Sequence, residues 1–243
     1  MADAPLRCAV FGASGGIGAA LASALCNRDD VAEVYAASRS GDVPVHVKAV
    51  PLAFDLADEA SIAAAAARMG ASGPIDLAIV ATGILHRADG GGPEKSWRAL
   101  EAGALAELYA VNAIGPAMIA RHVLPLLPRD RRAVFAALSA RVGSIGDNRL
   151  GGWHAYRASK AALNMLVRNF AIELARTNRQ AIAVSLHPGT VDSGLSRPFQ
   201  KGVSAERLFG PADAAGHLLQ VIDGLQPADS GGLFAWDGAA IPF

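Results

Sequence analysis

The stretch Leu6-Arg7-Cys8-Ala9-Val10-Phe11-Gly12-Ala13-Ser14-Gly15-Gly16-Ile17-Gly18 decides the fold. Its first six residues form a short apolar run of the kind a buried strand needs, and it leads directly into the glycines. An amphipathic helix follows from Ile17 to about Asn27, with Ile17, Leu21 and Leu25 on one face. A strand, a glycine turn and a helix in succession make a phosphate site. Glycines let the backbone approach a pyrophosphate, and the helix N-terminus offers unpaired N–H groups with a favourable dipole. Gly12, Gly16 and Gly18 are spaced G-x-x-x-G-x-G rather than as the commoner dinucleotide fingerprint. With Ser14 and Ile17 they are the first candidate cofactor contacts.

Outward from this turn the pattern repeats. A second strand, Val31 to Ala37, ends at Ser38-Arg39-Ser40. At that strand end an acidic residue would bind a free ribose 2′-hydroxyl, whereas an arginine suits a 2′-phosphate. Arg39 is the first charged residue there, so NADP is expected over NAD. A third strand, Val47 to Phe54, closes with Asp55-Leu56. Asp55 is placed to reach the adenine edge or to accept in the turn before the next helix. That helix has Asp58 as its expected N-cap and runs to Met69. Ile75 to Ala81 is a fourth strand running into Thr82-Gly83. A long helical region from Ser96 to Leu127 carries Asn112, a polar residue among apolar neighbours and therefore expected to be buried and hydrogen-bonded. Arg132 to Ser139 is a fifth strand, and a helix reaching Arg176 follows it. Ala181 to Leu186 is a sixth strand, continuing into His187-Pro188-Gly189-Thr190-Val191. Leu195 to Phe209 reads as an irregular substrate lid, within about residues 194–210. Pro211 opens a further helix, and Gly231 to Trp236 is a seventh strand before a short tail.

Strands alternate with helices over residues 1–243, with no linker or repeat. The expectation is one α/β domain: a doubly wound, parallel, seven-stranded sheet with helices on both faces and its site at the strands' C-terminal ends. The glycine turn, Arg39, Asp55, Thr82-Gly83, Ser139 and Pro188-Gly189 all fall at those ends.

Bulk properties narrow the partners. The 243 residues carry 22 basic and 22 acidic side chains, a formal net charge of zero, so a polyanion such as nucleic acid is not expected. Hydrophobic residues make up 52% and charged residues 18%, which suits a sheet buried on both faces. No signal-like N-terminus and no uninterrupted apolar run near 18 residues is visible, so a cytoplasmic protein without a membrane partner is expected. Cys8 and Cys26 have no metal or redox spacing, the histidines are scattered, and no metal site is expected.

The chemistry concentrates in Trp153-His154-Ala155-Tyr156-Arg157-Ala158-Ser159-Lys160. A Tyr and a Lys four apart share one helical face. A phenol with a reference pKa of about 10 needs help to cycle a proton near neutrality, and a nearby ammonium favours the phenolate.

With these motifs in place the chain resembles the short-chain dehydrogenase/reductase family over essentially its whole length. Gly12 to Gly18 is similar to that family's cofactor turn, Tyr156 to Lys160 to its catalytic helix, Asn112 to its helix asparagine, and Pro188 to Ser193 to the segment that meets the nicotinamide. The stretch from Gly143 to Trp153 and the tail Trp236-Asp237-Gly238 resemble the C-factor/sniffer-type carbonyl reductase branch. The resemblance implies a Rossmann-type domain and hydride transfer between NADPH and a carbonyl or alcohol. Tyr156 would act as general acid/base, Lys160 would tune it and hold the nicotinamide ribose, and Asn112 would support a proton relay. It also implies a homodimer or homotetramer. The substrate is expected to be a small, uncharged carbonyl compound, because no carboxylate clamp or basic cluster is evident. One departure stands out: Ala140 occupies the family's catalytic serine position. A methyl group cannot donate to a developing oxyanion, and losing such a donor commonly costs ~10²-fold in rate. Ser139, one residue early and expected to point to the other side of the strand unless the strand end bulges, and Ser144, which could reach in from the following loop, are the candidates to replace it. A second reading, a cofactor-binding regulatory or signalling protein with weak catalysis, rests on this alanine.

Overall fold

The computed structural model describes residues 4–43, 45–86, 91–200, 204 and 207–243. The expected alternation is present as β1 (Leu6–Phe11), α1 (Gly16–Cys26), β2 (Val31–Ser38), β3 (Ala49–Ala53), α2 (Glu59–Ala71) and β4 (Leu77–Val80). It continues through α3 (Ala102–Tyr109), α4 (Gly115–Val123), β5 (Ala133–Leu138), α5 (His154–Leu174) and β6 (Ala181–His187). The chain ends with β7 (Thr190–Val191), β8 (Leu208–Phe209), α6 (Pro211–Gly224) and β9 (Leu233–Ala235). Seven strands form one sheet in the order β3-β2-β1-β4-β5-β6-β9, and every neighbouring pair is parallel.

Parallel strands need crossovers, and here the helices supply them on both faces. On one face α1 and α6 cover Val10, Ile79, Val184 and Leu186. On the other, α2, α4 and α5 cover Phe11, Val80, Phe135 and Ala183, with Ile62, Ile119, Leu163 and Val167 inserted from the helices. Odd and even positions of one strand thus feed two cores, which is why the strand sequences read as continuous apolar runs rather than as alternating ones. Asp58 caps α2 as expected, its Oδ1 accepting from Ala60 N at 3.0 Å.

Three elements differ from the sequence expectation. The helical region begins at Ala102, after a 3-10 turn at Trp97–Ala99, and is interrupted by a π-turn at Ala110–Ile114. A π-turn inserts one residue into the helical ladder, and here the insertion coincides with Asn112. Residues 102–126 are long and apolar enough to cross a membrane by length and composition, but they wrap the sheet, with Asn112, Ile119, Ala120 and Val123 buried. In the segment read as an irregular lid, Leu208–Phe209 pairs in parallel with Thr190–Val191. A 3-10 turn occupies Arg197–Phe199, and residues 201–203 and 205–206 lie outside the described residues. The tail is docked: Ile241 is buried and donates its N–H to Leu233 O at 2.8 Å, and Gly146 N–H donates to Phe243 O at 2.9 Å.

Candidate functional site

The sheet order reverses direction between β1 and β4, and a crevice opens there at the strands' C-terminal ends. A cavity of about 580 Å³ fills it, lined by Gly12, Ser14, Arg39, Asp55, Leu56, Thr82 and Gly83 among others. Seven candidate cofactor residues from four separate stretches are thereby brought to one wall.

The glycine turn is shaped by close approach. Gly12 leaves β1 at φ +89, where an L side chain is strained. A Cβ on Gly18 would lie only 2.1 Å from Gly12 O, so the turn can pack on α1 only with glycine at that position. No side chain caps the start of α1, which leaves its N–H groups for a ligand. From the far side, the segment after β6 crosses back over the turn. Pro188 leads to Gly189 at φ +77, Val191 is buried against β8, and Ser193 Cβ lies 3.8 Å from where a Gly16 Cβ would sit. Ile17, half-buried, packs its side chain against the core under α1. Arg39 is exposed at the crevice mouth and makes no ion pair among the described residues. Asp55 uses its Oδ1 to accept from Ala57 N at 2.9 Å, the turn role that was one of its two readings.

One polar atom in the crevice stands alone. Among the described residues, Thr82 Oγ1 is buried without a hydrogen-bond partner, a condition that costs on the order of 1–3 kcal/mol unless something binds there. An orphaned hydroxyl, a glycine cradle and a free helix N-terminus fit the ribose and phosphate groups of a dinucleotide. Arg39 adds a cation at the crevice mouth.

Helix α5 enters beside this crevice, bringing Lys160 Nζ to 3.3 Å from where a Gly83 Cβ would sit. Tyr156 and Lys160 are both buried, with Lys160 Nζ 5.9 Å from the centre of the Tyr156 ring and donating to Leu138 O at 2.8 Å. Burial pushes the Tyr156 phenol up to about 12 and the Lys160 ammonium down to about 8. The expected lowering of the phenol by its lysine is thus not the state of the protein alone, because loss of hydration outweighs the neighbouring ammonium. Among the described residues the Tyr156 hydroxyl has no hydrogen-bond partner. Its surroundings are apolar: Ile84, Leu85, Leu105, Leu108, Ala140, Val142, Trp153 and Leu195.

Asn112 is fully buried and stitches two elements together. Its Oδ1 accepts from Ile84 N at 2.8 Å, and its Nδ2 donates to Ile84 O at 2.9 Å and to Ser159 Oγ at 3.1 Å. Ser159 in turn donates to the Tyr156 carbonyl at 2.8 Å. Asn112 Oδ1 and Lys160 Nζ each lie 3.3 Å from where a Gly83 Cβ would be, so glycine at 83 keeps the two polar groups on one small space.

The serines are placed elsewhere. Ser139 Oγ donates to Asn164 Oδ1 at 2.7 Å on the α5 side, and no hydrogen bond joins it to Tyr156. Ser144 Oγ donates to Pro242 O and accepts from Asp147 N. Ala140 itself lies in the apolar cluster around Tyr156. Sequence reading missed Ser159, Asn164 and Glu94, whose contacts join positions 25 to 61 residues apart. Among the described residues no group of three or more His, Cys, Asp or Glu is placed to hold a metal ion.

Comparison with known proteins adds to this geometry. A family model for short chain dehydrogenase matches residues 7–203. The C-signal of Myxococcus xanthus is 32% identical over 175 residues, covering 71% of this chain and 95% of that protein. The NADPH-bound carbonyl reductase from chicken fatty liver superposes with a TM-score of 0.84 at 26% identity, covering 98% of this chain and 99% of that one. The carbonyl reductase Sniffer of D. melanogaster shares the fold, with a TM-score of 0.82 at 22% identity over 99% of each chain.

Proposed function

The chain belongs to the short-chain dehydrogenase family, and from that premise we propose that it is an NADP-dependent carbonyl reductase. The single observation that carries this reading is the convergence of the glycine-turn crevice, Lys160 and Tyr156 at the ends of β1, β4 and β5. Gly12, Ser14, Gly16 and Gly18 with the α1 N-terminus would hold the pyrophosphate. Arg39 would pair with the 2′-phosphate, and Asp55 and Leu56 would flank the adenosine. Thr82, Gly83, Pro188, Gly189 and Val191 would enclose the nicotinamide half. The bound cofactor supplies a hydride to the carbonyl carbon.

The remaining chemistry belongs to the chain. Tyr156 gives its hydroxyl proton to the carbonyl oxygen as that oxygen gains charge. Lys160, close to half-protonated near pH 8, supplies a positive field at the phenol and a donor for ribose hydroxyls. Asn112, bonded to Ile84 and Ser159, fixes the wall from which protons can return to Lys160. The apolar lining about Tyr156 favours a small uncharged carbonyl compound and keeps water away from the reacting carbon.

A second reading keeps one specific observation: Ala140 offers no oxyanion donor, and neither Ser139 nor Ser144 points its hydroxyl at Tyr156. A cofactor-binding regulatory protein with weak catalysis accommodates that directly. Oligomerisation as a dimer or tetramer is supported by the apolar groove between α4 and α5, which includes Met118, Leu124 and Phe170.

The test is a fluorescence titration with NADPH and NADH alongside a carbonyl-dependent oxidation assay. The reading requires tighter binding of NADPH and measurable turnover. Equal binding of the two cofactors would remove Arg39 from the argument, and tight NADPH binding without turnover would favour the regulatory reading.

A further inference from the structure

The first turn of α5 is held in an unusual way. Gly151, Gly152 and Trp153 are three consecutive left-handed residues, at φ 62, 65 and 52, and Trp153 is the one non-glycine with positive φ among the described residues. A side chain with a Cβ disfavours that conformation, so surrounding contacts must impose it. Trp153 is also the N-cap of α5, and its indole cannot accept from the free N–H groups of the first turn.

Glu94, from a segment some 60 residues earlier, supplies what Trp153 lacks. Its main-chain carbonyl accepts from Trp153 N at 2.5 Å, and its carboxylate Oε2 accepts from Ala155 N at 3.2 Å. The carboxylate is thus a cap brought in from outside the helix, with its negative charge at the positive end of the helix dipole. Gly152 approaches the same carbonyl at φ +65, a backbone conformation that L side chains rarely adopt. Arg157 completes the clasp by donating to Gly152 O at 3.0 Å and to Val142 O at 3.2 Å.

Tyr156 follows directly. Its ring meets the Trp153 ring edge-on, with centroids 6.3 Å apart, and among the described residues its hydroxyl has no hydrogen-bond partner to orient it. With Ala140 in place of a donor, the ring is aimed by the first turn of α5, by the Lys160 ammonium over its face and by packing. Glu94 also lines a cavity of about 520 Å³ whose walls include Leu85, Leu108 and Ala155, three members of the cluster around Tyr156.

Resting on the reading of Tyr156 as proton donor, we propose that Glu94 is a positioning residue that latches the first turn of α5 and thereby aims the Tyr156 hydroxyl. It acts through Ala155 and Trp153 and does not touch the reacting atoms.

Three proteins test this: the full-length wild type, Glu94→Ala and Glu94→Gln. Two readouts apply: steady-state reduction of a panel of uncharged aldehydes and ketones with NADPH, and amide hydrogen exchange over residues 155–159. In Glu94→Ala, exchange at Ala155 rises at least tenfold and kcat falls at least tenfold, while the Kd for NADPH stays within about twofold. Glu94→Gln keeps a neutral acceptor and restores both to within about threefold of wild type. Unchanged exchange in Glu94→Ala overturns the latch, and so does a Glu94→Gln variant as impaired as the alanine. Should the wild type reduce no carbonyl at all, the oxidoreductase reading falls, and the exchange data still decide for or against the latch.

Discussion

At Ala140 the site departs most from what its chemistry asks for. The methyl group sits in the apolar cluster beside Tyr156, and the two nearby serine hydroxyls are committed to Asn164 and to Pro242. Under the proposed reading, a substrate carbonyl oxygen would have Tyr156 as its one protein donor among the described residues. Ala140→Ser introduces a second, and its kcat for a simple ketone is expected to rise by about tenfold or more, given what such donors contribute elsewhere. No gain on introducing the serine would show that the reaction does not need a donor at this position.

Lys160 makes a prediction about stability rather than rate. Its ammonium is held down to about 8 from an ordinary 10.5 by burial. Between those values the unfolded chain still binds a proton that the folded chain has released, so stability rises with pH across that window. Below pH 8 the full cost of the buried charge applies, on the order of 3 kcal/mol. Tyr156 runs the other way. Its folded phenol holds its proton to about 12, so stability declines once the unfolded phenol ionises above about 10. In urea denaturation, the stability of Lys160→Met relative to wild type should be greatest near pH 7 and shrink by several kcal/mol toward pH 10.5. The lost bond to Leu138 O adds an offset that does not vary with pH. A difference that is flat across this range would contradict the account.

At the scale of elements, local sequence carried the most where structure is set locally. β1, the glycine turn and α1 were legible because the apolar run, the glycines and the 3.6-residue periodicity all lie within about 20 residues. The start of α2 was legible for the same reason, since a cap needs only its own first turn. Asp58→Ala removes the bond to Ala60 N and should cost about 1 kcal/mol, lowering Tm by a few degrees with no change in NADPH binding. A loss of cofactor affinity in that variant would mean that α2 supports the crevice more closely than its contacts indicate.

Other elements were hidden because their cause is distant. The π-turn at Ala110–Ile114 has no local signature; it places Asn112 against Ile84 and Ser159, which are 28 and 47 residues away. The pairing of Leu208–Phe209 with Thr190–Val191 joins two-residue segments too short to show a period. The facing of Ser139, by contrast, was legible: one residue before Ala140 it should point to the other side of the strand, and its hydroxyl donates to Asn164 Oδ1, a partner 25 residues away that the sequence did not show. Glu94 carried no signal at all, because its role exists only once Trp153 adopts a left-handed backbone.

For the whole molecule, the sheet order turns scattered strand ends into a site. Reversal between β1 and β4 opens the crevice, and the crossover through α3 and α4 brings Asn112 behind it. The β5–α5 connection then lays Tyr156 and Lys160 along its edge. The two-layer helical cover explains the apolar composition, and the docked tail ties the loop after β5 to the last strand. Within that frame the catalytic claim rests on one hydroxyl. The most direct measurement is carbonyl-dependent NADPH oxidation by Tyr156→Phe, with NADPH affinity measured on the same preparations. Removing the general acid should lower kcat by ~10²-fold or more, while the Kd for NADPH stays within about twofold of wild type. Turnover equal to wild type in the phenylalanine variant would contradict the account.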